Sequence, residues 1–220
     1  MKRLLPIIAV LVLVSLACSI PFIGGSEGSD PASTQLPDTV LFQDDFSDPS
    51  SGWDRISDPN GITDYADGVY RIFVNTINTD IWSNPNLDFG DVRVEVDATK
   101  VGGSDNNDFG VICRYQDSDN YYFFIASSDG YYGIGRFLGG KQELIGVESM
   151  QPSEVITQGD ATNHLRADCI GSKLSLFVND QFLTQVEDTA FTSGDVGLMA
   201  GSLDSPGVDI HFDNFKALKP

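Results

Sequence analysis

From Thr39 to the C-terminus, the sequence repeats short runs in which apolar and polar residues alternate, and Gly, Asn and Asp separate the runs. In the clearest run, Val92, Val94 and Val96 alternate with charged side chains. This period of two is that of a β-strand with one buried face. No run keeps the helical period for about 11 residues. We therefore predict an all-β domain over residues 39–220, an antiparallel sandwich or barrel with almost no helix.

Twelve segments are predicted as strands, and turn signals such as DSDN, SSDG and LGGK separate several of them. They are TVLFQDDF, GVYRIFVN, DVRVEVDAT, FGVICRYQ, YYFFIASS, YYGIGRFL, KQELIGVE, NHLRADCIG, KLSLFVND, QFLTQVED, GDVGLMAGS and VDIHFDNFKAL. Runs of this length and spacing are typical of sandwiches whose strands are joined by short turns.

The N-terminus has the layout of a secretory signal, because Lys2 and Arg3 precede an apolar run that ends at Ala17. The apolar run is about 14 residues long, whereas a helix that spans a bilayer needs roughly 20. Pro6 also interrupts it. We therefore expect cleavage of this segment rather than a permanent membrane span.

The residues Ser15-Leu16-Ala17-Cys18 resemble the lipobox of bacterial lipoproteins, in which the cysteine is lipidated and becomes the new N-terminus. The resemblance implies that residues 1–17 are a lipoprotein signal peptide, and that the protein is exported and anchored to the outer face of the bacterial cell membrane through Cys18. Leucine is usual at the position of Ser15, so a plain secretory signal or an uncleaved anchor stays open. Acyl chains would bind firmly, since each buried CH₂ contributes about 0.8 kcal/mol.

Residues 18–38 are rich in Gly, Ser and Pro and have no hydrophobic period, which is typical of a flexible tether. The whole chain has 13 basic and 32 acidic residues, a formal net charge of −19. Such a charge repels phosphate backbones and argues against nucleic acid as a partner. Neutral sugars and metal cations fit better, although acidity can also serve only to keep an extracellular domain soluble.

Four segments in a fixed order carry a family resemblance: GVICRYQDSDNYYFF, NHLRADCIGSKLSLFVND, GDVGLMAGS and VDIHFDNFKAL. They resemble the concanavalin A-like lectin/glucanase superfamily, nearest to the laminin-G-like and 3-keto-disaccharide-hydrolase-like domains of bacterial surface lipoproteins. The resemblance covers residues 39–220 and implies a jelly roll of two curved antiparallel sheets, one of them concave. It also implies that carbohydrate is bound or cleaved in the concave groove, or that the domain binds protein, and that a structural calcium ion is possible.

The stretch from Gly110 to Phe137 concentrates aromatic side chains and two arginines, which suit either a sandwich core or a surface that stacks on sugars. Alternation places Val111, Cys113 and Tyr115 on the expected core face. The run YYFFIASS is apolar on both faces, so at least one aromatic row must face something other than the main core. That row is either covered or lines a groove.

We expect five residues of this kind at a ligand surface, because rings pack on sugar C–H bonds and guanidinium groups donate paired hydrogen bonds to hydroxyl oxygens. They are Arg114, Tyr122, Tyr132, Arg136 and Trp82. For any one aromatic residue the alternative is an ordinary place in the core, and for Trp82 it is a cover for a loop.

Two cysteines follow Cys18, namely Cys113 and Cys169. An even pair in an exported protein predicts a disulfide, either between neighbouring strands or between facing sheets. Zinc binding is not supported, because these cysteines and the two histidines, His164 and His211, show no ligand spacing.

Calcium is the most plausible ion, and the superfamily resemblance implies a site where the first and last strands meet. The candidate ligands there are Asp44, Asp45 and Asp213, since hard cations take several oxygen ligands. No loop matches the calcium-loop pattern D-x-[DN]-x-[DN]-G. The alternative role for these three acids is to cap turns or to face solvent.

The segment from Glu95 to Lys100 resembles the E-x-D-x-x-E strand of laminarinase-type glucanases. Glu95 would match the nucleophile and Asp97 its helper, but Lys100 stands where the acid/base glutamate belongs. A lysine with an ordinary pKa near 10.4 is a poor proton donor at neutral pH, so the reaction of that family should fail here. A chance match on an exposed strand face is the better account.

We therefore interpret the chain as a surface-anchored, non-catalytic β-sandwich that binds carbohydrate or another extracellular ligand. One alternative is a glycoside-processing enzyme of the 3-keto-disaccharide hydrolase kind, and another is a protein-interaction or structural module of the cell envelope. An open aromatic groove favours binding, and a filled concave face favours the interaction module. Two carboxyl groups within about 5.5 Å favour hydrolysis.

Replacing Cys18 tests the lipid anchor. In a bacterial host that expresses the full chain, Cys18→Ser should move the protein from the membrane fraction to the soluble fraction, because the acceptor of the acyl chains is lost. Fractionation with immunoblotting measures this, and Ser19→Ala is the matched control that stays with the membrane. Equal membrane retention of both variants would contradict lipidation at Cys18.

Overall fold

The computed structural model describes residues 39–220, which form sixteen strands and no helix. The strands are β1 Thr39–Asp44, β2 Ile56–Asp58, β3 Gly61–Ala66, β4 Val69–Val74, β5 Thr79–Ser83, β6 Val92–Gly102, β7 Asn107–Asp117, β8 Asn120–Ala126, β9 Tyr131–Leu138, β10 Lys141–Leu144, β11 Gln151–Pro152, β12 Thr162–Ile170, β13 Lys173–Val178, β14 Gln181–Glu187, β15 Asp195–Ser202 and β16 Val208–Lys219. Residues 39–220 contain no helix that is long and apolar enough to cross a membrane. The predicted signal peptide, Cys18 and tether lie outside the described residues.

The strands form two antiparallel sheets that pack face to face, which confirms the predicted all-β sandwich. The nine-stranded sheet has the order β14-β13-β12-β6-β16-β4-β3-β2, and β1 also pairs with β16. The seven-stranded sheet has the order β10-β9-β8-β7-β15-β5, and β11 also pairs with β9. All twelve predicted segments are strands, whereas β2, β3, β5 and β11 were not predicted.

The main core lies between the two sheets and follows the alternation of the strands. On β6, Val92, Val94 and Val96 are fully buried, while the residues between them are only half-buried on the outer face. On β8, Tyr122 and Phe124 point into the same core. Burying a side chain of this size stabilises the fold by about 1.5–3 kcal/mol, so these rows hold the sheets together.

A disulfide between Cys113 on β7 and Cys169 on β12 joins the two sheets through the core. Both cysteines are fully buried, and their Cα atoms are 6.9 Å apart. The predicted pairing is confirmed, and of the two arrangements left open it is the link between facing sheets.

Directly after Cys113, a bulge in β7 reverses the alternation. Arg114 has a left-handed φ of 53°, and the pairing of β7 with both neighbouring strands shifts register here. The extra residue turns Arg114 toward the nine-stranded sheet, where it donates to the carbonyl of Cys169 at 3.3 Å. Tyr115 is thereby placed on the outer face, with its ring centroid 5.5 Å from that of Tyr121. The expectation that Tyr115 shares the core face was wrong for this reason.

Removing the disulfide should destabilise the domain. The two cysteines are 56 residues apart, and the chain-entropy model assigns about 4 kcal/mol to closing a loop of that length in the unfolded chain. Urea unfolding followed by circular dichroism should show this loss for the Cys113→Ala/Cys169→Ala variant. A reductant should destabilise the wild type and leave the variant unchanged. A reductant that shifts both proteins equally would contradict this role.

Candidate functional site

Arg114, expected at a ligand surface, is instead buried and only 1% exposed. One guanidinium nitrogen donates to the carbonyls of Gly171 at 2.9 Å and Phe191 at 2.8 Å, and the other lies 3.2 Å from Asp91 Oδ1. A buried cation has to be paired and hydrogen-bonded, and these loops provide the partners. Arg114 therefore fixes loops between the sheets and is not available to a ligand.

Tyr122 and Arg136, also expected at the surface, share Asp188 as a partner. Tyr122 is fully buried in the main core, and its hydroxyl donates to Asp188 Oδ1 at 2.5 Å. Burial raises the pKa of Tyr122 to about 12. Arg136 is half-buried and forms ion pairs with the other oxygen of Asp188 and, at 2.7 Å, with Glu143. The placement of Tyr122 at the surface was wrong, and Arg136 is occupied by these two acids.

The five predicted residues do not form one surface. Tyr132 is partly buried against the main core. It lines a cavity of about 260 Å³ at the edge of the sandwich, together with residues such as Ile145 and Val186. Trp82, in contrast, lies on the outer face of the seven-stranded sheet, with its ring centroid 5.9 Å from that of Tyr121. The two aromatic candidates therefore belong to different faces of the sheet.

The outer face of the seven-stranded sheet is concave. Trp82 on β5 and Tyr121 on β8 are three strands apart in the sheet order, and neighbouring strands are spaced about 4.8 Å. Their rings nevertheless meet at 5.9 Å. The curvature even brings Gln142 of β10, at one edge, to 3.4 Å from Asp80 of β5 at the other edge.

This concave face is filled by its own side chains, which form a second core. Five of them are at most 5% exposed: Ile112, Tyr121, Phe123, Ile125 and Met199. The rings of Tyr121 and Phe137 stack at 4.7 Å. The expectation that one aromatic row on β8 faces away from the main core is therefore correct, but this row is packed and does not line an open groove.

A carboxyl pair lies on the same concave face, where Asp80 on β5 and Asp108 on β7 flank Gly201 of β15 in register. One oxygen of each acid lies 2.5 Å or less from the point where Gly201 would carry a Cβ atom. The two carboxyl groups are thus as close as hydrolysis requires, but Asp108 is only 5% exposed. A polysaccharide cannot reach both groups on this packed face.

The pKa values of both acids of this pair, and of Asp195 on β15, are raised above their ordinary values. Burial, and then the charge of Asp80, raises the pKa of Asp108 well above its ordinary value. Burial likewise raises the pKa of Asp80. Burial raises the pKa of Asp195 to about 6, against the opposing effect of backbone N–H donors from the loop before β6.

Asp195 helps to line a polar pocket of about 600 Å³ at one end of the seven-stranded sheet. Its two oxygens accept hydrogen bonds from the amides of Asn86 and Val196, both at 2.8 Å. Asn86 has a left-handed φ of 63° and donates from its side chain to Asp54 at 3.3 Å. Asp195 therefore organises this loop and is not free to act on a ligand.

At the opposite end of the concave face, a pocket of about 550 Å³ is open to solvent. We call it the Tyr131 pocket, and it is lined by Asn106, Asn107, Ser127, Asp129, Tyr131, Ser149, Met150 and Leu203. Tyr131 is 41% exposed, and its amide donates to Ser127 Oγ at 3.0 Å. A pocket of this size, with an exposed ring, amides, hydroxyls and a carboxylate, suits a polyhydroxylated ligand.

Buried hydrogen bonds hold the floor of the Tyr131 pocket in place. The side-chain amide of Asn107, which is fully buried, donates to the carbonyl of Ser104 at 2.8 Å and to Ser128 Oγ at 3.0 Å. Its oxygen accepts the amide of Ser128 at 3.0 Å. The turn that leads into β9 is thereby fixed, and Tyr131 is presented from a rigid base. The sequence pattern missed this site because its residues come from four separate turns and strand ends.

The three acids predicted to bind calcium do not form a metal site. Strands β1 and β16 do meet, but Asp44 accepts the amide of Phe46 at 2.8 Å and the indole N–H of Trp53 at 3.0 Å. Asp45 and Asp213 each accept a nearby backbone amide. Within residues 39–220, no group of three or more His, Cys, Asp or Glu side chains could hold an ion. These three acids fit the alternative role as turn caps.

The three residues that resemble the E-x-D-x-x-E strand do not share one face of the sheet. Glu95 and Asp97 lie on the outer side of the nine-stranded sheet, whereas Lys100 points inward and is only 5% exposed. Lys100 forms ion pairs with Asp105 at 2.8 Å and Asp160 at 2.5 Å. Because these three positions lie on two faces, they cannot act together on one bond.

The sequence matches no protein-family model and no curated protein. The fold resembles carbohydrate-binding module CBM66 from Bacillus subtilis, with a TM-score of 0.62 and 17% identity over 77% of this chain and 96% of that one. It also resembles a protein of unknown function with a galectin-like fold from Bacillus subtilis, with a TM-score of 0.61 and 10% identity over 83% and 98%. The catalytic domain of a laminarinase from Thermotoga petrophila has a TM-score of 0.57 and 10% identity over 83% of this chain and 98% of that one.

At these identities the likeness shows the fold alone. The two curved antiparallel sheets form a jelly-roll β-sandwich, which is the fold that the superfamily resemblance implied.

The three raised pKa values predict that the domain is more stable at pH 5 than at pH 7. A carboxyl group whose pKa is raised on folding binds its proton more tightly in the folded state than in the unfolded state. The free energy of unfolding therefore falls as the pH rises from 3.8, the ordinary pKa, through the pKa in the folded state, which is about 6 for Asp195. Acids with lowered pKa values, such as Asp168, are ionised in both states over this window and add nothing.

Thermal unfolding in a chelating buffer measures this difference. The melting temperature should be a few degrees higher at pH 5, since 1 kcal/mol corresponds to about 2–4 °C in a domain of this size. The Asp195→Asn variant should show a smaller difference between the two pH values. A wild-type melting temperature that is equal or lower at pH 5 would contradict the raised pKa values.

Proposed function

We propose that this protein is a surface-anchored, non-catalytic β-sandwich that binds neutral carbohydrate in the Tyr131 pocket. The observation that carries the proposal is the half-exposed ring of Tyr131 beside amides, hydroxyls and a carboxylate, at the open end of a concave jelly-roll face. A ring face packs against sugar C–H bonds, and planar polar groups such as Asn106 and Asp129 bind hydroxyls.

The charge of the pocket supports a neutral ligand. Its lining contains Asp129 and no lysine, arginine or histidine. The chain as a whole carries a net charge of −19. Sulfated or uronic-acid polysaccharides would therefore be repelled, whereas the hydroxyl groups of a neutral sugar find acceptors.

Structural neighbours give the proposal context. One is a carbohydrate-binding module that is matched over 96% of its length. Another, a GH43 protein from Bacillus licheniformis, has a TM-score of 0.60 and is matched over 39% of its length. A chain of this size thus corresponds to a whole binding module in one case and to one part of an enzyme in the other.

A cell-envelope interaction module is the second candidate. The filled concave face supports it, because Tyr121 and Phe123 are fully buried where a groove was expected. In that case the partner would be a protein bound across the rim loops, and no sugar would compete for the Tyr131 pocket. Hydrolysis is less well supported, since the close pair Asp80 and Asp108 lies under packed side chains.

Tyr131→Ala tests the proposed site. The loss of the stacking ring should weaken binding to a neutral polysaccharide at least tenfold, which corresponds to about 1.4 kcal/mol. Glycan-array screening of the wild type selects the probe, and affinity electrophoresis in neutral β-glucans or xylan, with an acidic polysaccharide as the charge control, measures the change.

The matched control is Phe182→Ala, since Phe182 is 58% exposed but lies on the nine-stranded sheet. It should bind as the wild type does. Equal weakening by both variants, or no weakening by Tyr131→Ala, would refute the site. A wild type that binds none of the sugars would refute the proposed function and favour the interaction module.

A further inference from the structure

Two buried carboxyl groups on the concave face lack a positive partner. Asp108 is 5% exposed and Asp80 is partly buried, and neither forms an ion pair with a lysine, arginine or histidine of residues 39–220. The only hydrogen bond shown for either carboxyl group within those residues is the 3.4 Å contact from Gln142 to Asp80. Two such charges in a poorly solvated place repel each other and are costly without a counter-charge.

The acids are held together by the sheet and not by their own contacts. Gly201 stands between them on β15, and a Cβ atom there would lie 2.5 Å from one oxygen of Asp108 and 2.7 Å from the other. Asp80 reaches the same point from the opposite side. Because only a glycine leaves this space empty, the oxygens of both acids converge above its Cα atom.

A third unpaired oxygen belongs to the same concave face. Tyr121 is fully buried, and its hydroxyl has no hydrogen-bond partner within the described residues. Tyr121 lies in register with Phe137, which pairs with Gln142, and the side chain of Gln142 reaches Asp80 at 3.4 Å, so this row of side chains ends beside the acid pair. Burial, and then the charge of Asp80, raises the pKa of Tyr121. Asp108 Oδ1 is likewise buried and without a partner within residues 39–220. Such orphaned atoms are rare in native proteins and call for an occupant.

We propose that Asp80, Asp108 and Tyr121 bind a divalent cation of the hard, oxygen-seeking kind, such as Ca²⁺. Its two positive charges match the two carboxylates, and the two acids with the tyrosine oxygen provide up to five oxygen ligands. The amide of Gln142 adds one more when it turns its oxygen toward the ion. The site differs from the turn-capping acids Asp44 and Asp45, and it does not depend on sugar binding in the Tyr131 pocket.

The enclosed position favours an ion over a larger ligand. Asp108 is only 5% exposed, so a sugar ring has no access to its carboxyl group. A shared proton is the competing occupant, since one carboxylic acid can donate to the other. The two occupants can be told apart at neutral pH. A cation site binds added metal there, whereas two carboxyl groups that share a proton do not.

Terbium luminescence tests the site directly on the folded protein. Tb³⁺ mimics Ca²⁺ and emits when a nearby tyrosine or tryptophan is excited, and Tyr121 and Trp82 have ring centroids 5.9 Å apart at the site. The wild type should give a saturable signal that Ca²⁺ displaces. Asp108→Asn should weaken binding at least tenfold, and Asp45→Asn, the matched exposed acid, should leave it unchanged.

Thermal unfolding separates a lost site from a damaged fold. In a chelating buffer at pH 7, Asp108→Asn should melt at the wild-type temperature or higher, because it removes the repulsion between the acids. Added Ca²⁺ should raise the melting temperature of the wild type only. The proposal is overturned if the wild type binds no Tb³⁺ or Ca²⁺, which leaves the shared proton, or if Asp45→Asn abolishes binding while Asp108→Asn retains it.

Discussion

The packing of large side chains over glycines on the concave face determines where the seven-stranded sheet can bind a ligand. At Gly135, a Cβ atom would lie within 2.6 Å of two atoms of the Phe123 ring, so the aromatic ring occupies the space that the glycine leaves. The Tyr121 and Phe137 rings then stack at 4.7 Å. The sheet curls around this second core until its edge strands β5 and β10 are in contact through Asp80 and Gln142. A ligand is therefore restricted to the ends of the concave face and to the rim.

The sequence predicted those parts of the fold that depend on local alternation. β6, with Val92, Val94 and Val96 inward, was correct residue by residue because one face is buried along its whole length. Alternation does not predict the buried face where one residue breaks the period, as at Arg114, whose left-handed φ exchanges the faces of the following residues. It also missed β5, which lies in a stretch rich in Asn, Asp and Ser that is typical of loops.

The candidate sites were less predictable than the fold, for a physical reason. Aromatic residues on β8 are present on both faces, and the sequence cannot say which row is covered. Arg114 and Tyr122 were chosen for their chemistry, but tertiary contacts with Phe191 and Asp188 decide that both are structural. Asp80 and Asp108 are 28 positions apart in number and meet only because β15 passes between their strands. No local pattern marks such a meeting.

The acid pair Asp80 and Asp108 stands out against the charge pairing in the rest of the described residues. Every arginine there faces a carboxylate, and Arg93, for example, pairs at 2.7 Å with Asp168 of the neighbouring strand. Lys100, only 5% exposed, has two acids for one ammonium group. The buried acids Asp44 and Asp195 have no cation either among the described residues, but backbone amides donate to both of them. Asp80 and Asp108 differ because no such donor is shown for either carboxyl group within residues 39–220. Local violations of this kind persist where a bound species compensates for them, since two uncompensated buried carboxylates would otherwise cost several kcal/mol each.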